Sequence, residues 1–79
     1  MKGATYRLSA EEGQAKILPV FLRDPHAEFT ISDTARMARM TYSQACRNLR
    51  FLAVGKALKR RPHAGMAWYR LARPHRAKP

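Results

Sequence analysis

Seventy-nine residues and 9.0 kDa make one domain's worth of chain, too little for the larger architecture with which most metabolic enzymes enclose a substrate. A hydrophobic share of 46% is that of a globular protein, yet a chain this short buries only about 60–65% of its unfolded surface, and a single cysteine, Cys46, excludes an internal disulfide or a multi-cysteine metal knuckle. Sixteen Lys and Arg against five Asp and Glu give a net charge of +11, and no apolar run reaches the roughly 18 residues of a membrane span.

Residues 1–8 show little periodicity, and Tyr6 and Leu8 are expected to pack back on the core. Ser9-Ala10-Glu11-Glu12 has the S-x-x-E spacing of a capping box, which predicts the start of a first helix. Ile17, Leu18, Phe21 and Leu22 then form one apolar face at helical period. Pro19 falls inside this run, where it removes a backbone hydrogen bond and costs about 3 kcal/mol or bends the axis. A kink or break is expected there, with Asp24-Pro25 ending the segment.

Glu28-Phe29-Thr30 has room for only a very short strand. Thr30-Ile31-Ser32-Asp33 has a hydroxyl and an acid at cap spacing, and Ile31, Ala35, Ala38 and the methionines 37 and 40 follow at roughly helical spacing, so a second short helix is predicted to about Arg39. Thr41-Tyr42-Ser43-Gln44 is another capping box, and two helices joined by two or three residues make a helix-turn-helix. The third helix is predicted from Tyr42 to about Val54, with Gly55 in the left-handed position that closes it. On a 100° wheel Ala45, Leu49 and Leu52 share a buried face, while Ser43, Arg47, Arg50 and Val54 form an opposite face expected to be basic and polar. Gln44 and Phe51 flank that exposed face; Tyr42 and Asn48 fall nearer the core edge.

Leu58-Lys59-Arg60-Arg61 and Ala67-Trp68-Tyr69-Arg70-Leu71 are short extendable runs separated by Pro62-His63-Ala64-Gly65-Met66. This composition predicts a β-hairpin, with Tyr69 and Leu71 inward and Trp68 and Arg70 outward. Residues 5–72 then form one domain, and 73–79 a disordered basic tail. The fold class is α+β, mainly α, with three helices and a two- or three-stranded β-wing.

The charge is one-sided along this chain. All five acids, Glu11, Glu12, Asp24, Glu28 and Asp33, lie in the first 33 positions beside four bases, a net of −1. Residues 34–79 hold twelve bases and no carboxylate, which points to a polyanionic partner. Eleven Arg to five Lys favours phosphate and base-edge recognition over mere solubility, the plain alternative being a solvated basic surface.

Catalytic constellations find no support. Cys46 with His63 offers a thiol and an imidazole, but a lone cysteine on a helix flank is usually a small packing residue. His26, His63 and His75 lack partners at metal-ligand spacing, and no Gly-rich phosphate loop precedes a helix. The sequence therefore predicts no enzyme, no metal and no cofactor.

Helix, helix-turn-helix and basic hairpin, in that order from about Ile17 to Leu71, resemble the winged helix-turn-helix family of bacterial and phage transcription regulators. The densest match is Thr41 to Leu71, with Leu49-x-x-Leu52-x-x-Gly55, Leu58, the basic run, a Gly-containing tip and Trp68-Tyr69-Arg70-Leu71. It looks particularly like the arsenic-repressor type of module, whose second wing strand often ends in a tyrosine-arginine-leucine run. The helix-helix turn, Arg39-Met40-Thr41, lacks the glycine common in that family.

The resemblance implies a third helix lying in the major groove of double-stranded DNA. Arg47 is then the first candidate to pair with a guanine, Arg50 reads a base or holds phosphate, and Ser43 and Gln44 reach base edges. Thr41 and Tyr42 would touch phosphate. Lys59, Arg60, Arg61 and His63 form the basic wing on the flanking backbone or minor groove. Trp68 would either stack on a nucleotide or cover the sheet. The implied protein is a small phage, plasmid or bacterial regulator, cytoplasmic and associated with the nucleoid. It would bind DNA as a homodimer, paired through its first eight residues and first helix, where charge is lowest. The alternatives are an RNA-binding or ribosome-associated basic protein, and a winged-helix module that docks on an acidic protein.

Overall fold

A computed structural model describes residues 10–72. Expectations for Tyr6, Leu8, the Ser9 cap and the 73–79 tail lie outside the described residues. The elements in chain order are α1 (Ala10–Arg23), β1 (Phe29–Thr30), α2 (Ile31–Ala38), α3 (Tyr42–Val54), β2 (Leu58–His63) and β3 (Met66–Leu71). The class is α+β, mainly α, and the layout is that of a winged helix-turn-helix, with a three-stranded antiparallel sheet of order β1-β3-β2.

α1 starts with Glu11 and Glu12 and ends with Arg23, the signs that its macrodipole favours. Of the kink or break expected at Pro19 the break is absent, since the helix runs on through it. Pro19 and Ala15, the residue whose carbonyl loses its donor, are both exposed, so water can satisfy that carbonyl. Ile17, Val20 and Phe21 meanwhile hold both halves of the helix against the core. The predicted apolar face is narrower than the spacing implied, because Leu22 is 61% exposed. Asp24-Pro25 ends the helix as expected, and the Ala27 amide closes the turn on the Asp24 carbonyl at 3.0 Å.

Thr30 serves two elements at once. It is the last residue of β1 and the N-cap of α2, its hydroxyl accepting from the Asp33 amide at 3.1 Å while its own amide donates to the Asp33 carboxylate at 3.4 Å. Burial pushes the Asp33 carboxyl up, but the hydrogen bonds from Thr30 and Arg36 outweigh it and hold the group below the usual range. α2 closes with Arg39 in the left-handed region at φ 59°, the Met40 amide reaching the Ala35 carbonyl and the Arg39 amide that of Arg36. This Schellman pattern puts an arginine where glycine fits without strain. Met37, counted with the apolar positions of this helix, is 42% exposed.

α3 has the predicted bounds and the predicted cap, with Thr41 and Gln44 exchanging hydrogen bonds of 3.1 Å each. Its exit differs from the expectation. Gly55 has an ordinary φ of −78° and Lys56 takes the left-handed position at φ 68°. The Ala57 amide reaches back to the Leu52 carbonyl at 2.9 Å, and this one-residue delay delivers Leu58 into the core at 2% exposure.

The hairpin is tighter than its sequence suggested. Most of the presumed five-residue link is strand, and the reversal uses only Ala64 and Gly65, at φ 54° and 77°. Two successive left-handed residues give the turn whose twist matches the flanking strands. Pro62 is accommodated because β2 is an edge strand. β1 completes the sheet through Phe29↔Tyr69 and Thr30↔Trp68.

The core gathers Ile17, Val20 and Phe21 of α1, Ala38 of α2, Leu49 and Leu52 of α3, and Leu58, Tyr69 and Leu71 of the sheet. Phe21 meets Phe29 edge to face, ring centroids 5.3 Å apart. Asn48, expected near the core edge, is buried at 4% exposure and donates to the Gln44 carbonyl at 2.8 Å. It lies against Gly13 of α1, where any Cβ would collide with its amide, so the glycine sets how closely α1 crosses α3.

Candidate nucleic-acid interface

Burial of Ala45, Leu49 and Leu52 turns Ser43, Arg47, Arg50 and Val54 to solvent, as the wheel predicted. Two ion pairs lie away from this face, Arg36 with Asp33 at 3.1 Å and Arg61 with Glu28 at 2.7 Å. Every carboxylate lies on α1, the α1–β1 connection or the first turn of α2. Neither Arg47 nor Arg50 is in an ion pair with a carboxylate among the described residues.

This face is less polar than expected. Phe51 is 52% and Val54 79% exposed, and with Tyr42, Cys46, Arg47 and Arg50 they line an open groove along α3. Tyr42 does not sit at the core edge: it is 57% exposed, because the first turn of α3 projects past the core to share a small groove with the start of α2 and the wing tip at Gly65-Met66. Thr41 is exposed and Gln44 half-buried, but the Thr41 hydroxyl and the Gln44 carbonyl oxygen are committed to the cap. The Gln44 NH2 group is what remains to reach a base edge.

Antiparallel pairing sorts the wing cations by face. Arg60 lies opposite Tyr69 and Arg61 opposite Trp68, so the two neighbours take opposite sides of the sheet. Arg60 lines a cleft with Lys56 and Lys59 between the end of α3 and β2. Arg61 instead grips Glu28, Nε to Oε2 at 2.8 Å and Nη2 to Oε1 at 2.7 Å. These hydrogen bonds hold the Glu28 carboxyl below its ordinary value and push the Arg61 guanidinium up. Arg61, one of the four basic wing residues, thus has a protein partner. His63 is exposed near the tip. Trp68 is half-buried with its indole N–H enclosed and unpartnered, an arrangement that covers the sheet rather than offering a ring for stacking.

Among the described residues no three His, Cys, Asp or Glu side chains gather into a metal-holding group, and no helix is long and apolar enough to cross a membrane. No family model matches the chain, and no curated protein matches it. Among solved structures it is similar to human N-acetylserotonin methyltransferase in complex with SAM, with a TM-score of 0.60 and 21% identity, over 78% of this chain and 17% of that one. The likeness takes in a small part of that enzyme and is one of fold, the helices and sheet of a single module.

Proposed function

We propose that this chain is a sequence-specific duplex-DNA-binding protein, a small transcriptional regulator of the winged helix-turn-helix kind, with α3 in the major groove and the wing on the flanking backbone. One observation carries the reading: α3, the capped second helix of a helix-turn-helix, presents Ser43, Arg47 and Arg50 outward on a helix that contains no carboxylate. An arginine so presented matches O6 and N7 of guanine with two hydrogen bonds. Lys56 after the end of α3 and Lys59 and Arg60 of β2, which line one cleft, supply phosphate contacts that give affinity without reading sequence. Two copies reading symmetric half-sites would supply the specificity that one short helix lacks. The exposed Ala15, Pro19 and Leu22 on the outer side of α1 suit that pairing, on the least charged part of the chain.

The test is selection from a random duplex library, with structured RNA and heparin as competitors at fixed salt. Enrichment of a two-fold-symmetric consensus is the expected result and supports both DNA reading and dimerisation. An asymmetric single site keeps the DNA reading and removes the dimer. Equal competition by RNA and heparin with no enriched sequence overturns the proposal.

A second reading rests on the apolar content of the same face. Tyr42, Phe51 and Val54 beside two arginines make a surface of the composition that protein interfaces favour, and an acidic protein would complement it. Failure of selection, together with salt-sensitive binding to an acidic protein that Phe51→Ala abolishes, would put this reading first.

A further inference from the structure

On the flank of α3 away from the wing, three cations converge that belong to neither element. Lys16 of α1 and Arg36 and Arg39 around the end of α2 line one open cleft with Thr41 and Gln44. The Lys16 ammonium donates to the Arg39 carbonyl at 3.5 Å, fastening α1 to the turn that leads into α3. Part of the charge is balanced within the protein, since Asp33 holds Arg36 and Glu12 stands one helical turn before Lys16. Arg39 is different. Its side chain is exposed and has no carboxylate partner among the described residues, while its backbone occupies a left-handed conformation that a glycine would adopt without steric cost.

The placement relative to α3 gives the cleft its meaning. Tyr42 and Gln44, two residues apart, project about 200° apart around the helix. Tyr42 joins the groove at the wing tip and Gln44 joins the cationic cleft, so α3 is flanked by the wing on one side and the cleft on the other. A helix in a major groove about 12 Å wide has a phosphate strand along each side.

We infer that this cleft is a second phosphate-backbone site, in which Arg39, assisted by Lys16, holds non-bridging phosphodiester oxygens of the strand opposite the one the wing follows. The inference rests on the DNA reading of α3. Contacts on both flanks fix the angle of the helix in the groove, which contacts on one flank leave free to pivot, and they act alike on every sequence.

The full chain carrying Arg39→Gly or Lys16→Gln is measured on a selected duplex and a random duplex across a salt series, with thermal melting in parallel. Arg39→Gly is expected to hold or raise the melting temperature, because it relieves the left-handed strain. It should weaken both duplexes by the same several-fold factor and flatten the slope of log affinity against log salt by about 0.9. Lys16→Gln should move affinity and slope the same way, by less. The opposite behaviour of stability and affinity separates a lost phosphate contact from a damaged fold. Unchanged affinity and slope in both variants, while the wild type binds duplex, overturns the cleft and leaves the reading of α3 standing. A loss confined to the selected sequence also overturns it, by making Arg39 a base reader. Inorganic phosphate at constant ionic strength, titrated without duplex, is the arm for a free anion: saturable binding that Arg39→Gly abolishes while duplex affinity stays unchanged in that variant would overturn the backbone site and assign the cleft to small anions. A wild type that binds no duplex overturns both proposals together.

Discussion

The outer face of α3 and the wing carry the same residue type in opposite circumstances. On α3, Arg47 and Arg50 stand exposed on a helix without a carboxylate, while on the wing one of two adjacent arginines, Arg61, is clasped by Glu28 and the other, Arg60, lies on the other side of the sheet beside Lys56 and Lys59. The count of basic residues is therefore a poor measure of the charge that a polyanion meets. What decides it is strand pairing: β1 joins β3 through Thr30↔Trp68, β3 joins β2 through Arg61↔Trp68, and Glu28, next to β1, thereby comes within reach of Arg61. Glu28 and Arg61 are 33 residues apart in the chain, so the pairing is a product of topology.

The largest effect removes the ground on which both regions stand. Leu49 is fully buried at the centre of the inner face of α3, and Leu49→Ala should cost roughly 2–5 kcal/mol in chemical denaturation. A loss below about half a kcal/mol would mean that another face of the helix is buried, and the contrast between its arginines and those of the wing would dissolve.

Next comes the helix side of the comparison. Arg47→Ala should weaken binding to the selected site by about 1–3 kcal/mol, relax discrimination at one base pair and scarcely alter binding to random duplex. Equal losses on both duplexes would place Arg47 among the phosphate contacts.

The wing side gives a smaller and graded effect. Arg60→Ala should flatten the salt slope by about 0.9 per lost phosphate contact, and Arg61→Ala by clearly less, since its guanidinium is already engaged. Glu28→Gln releases Arg61 and should steepen the slope. The same contrast is open to pH. The Glu28 carboxyl is depressed by hydrogen bonds from Arg61, so the stabilisation it provides is fully present above the ordinary value of 4.5 and is lost as pH falls through the depressed one. Asp33, also depressed, loses its contribution to the cap of α2 in the same direction on acidification. Melting temperature followed downward from pH 5 should fall in the wild type and fall less in Glu28→Gln. Identical slopes for Arg60→Ala and Arg61→Ala would show that the ion pair opens on binding and that the two arginines are equivalent.

The smallest effect lies at the wing tip. Ala64 adopts φ 54° in the two-residue turn, and Ala64→Gly should stabilise the fold by up to about 1 kcal/mol while leaving the salt slope untouched. A destabilisation would mean that the alanine conformation is not strained, or that its methyl packs against something on folding.

Much of this architecture is legible in the chain because local chemistry fixes it. The Thr30 and Thr41 caps set the starts of α2 and α3, and the period of Ala45, Leu49 and Leu52 orients α3 correctly. What escaped reading depends on contacts between distant segments or on competition between neighbouring residues. Gly55 is the better left-handed residue in isolation, but the register that buries Leu58 assigns that conformation to Lys56. Pro19 lowers helix propensity, but packing of Ile17 and Phe21 overrides it. The Glu28–Arg61 pair requires knowing that β1 exists and which strand it joins. The cleft of Lys16, Arg36 and Arg39 joins α1 to the end of α2, elements brought together only by tertiary packing, and no local pattern in the sequence marks it.

The order β1-β3-β2 also makes the hairpin a lever with a defined fulcrum. Only two rungs, Phe29↔Tyr69 and Thr30↔Trp68, brace β3 on its far side; beyond them Pro62↔Ala67 and His63↔Met66 have no third strand beside them. The braced root ends at Thr30, which also begins α2, so torque applied to the hairpin below Trp68 is delivered straight into the helix-turn-helix. Torque applied above Trp68 falls on the two rungs that lack a third strand. A load at the tip thus falls first on rungs that no third strand braces, whereas a load reaching as far as Arg60 meets the braced root that runs into α2.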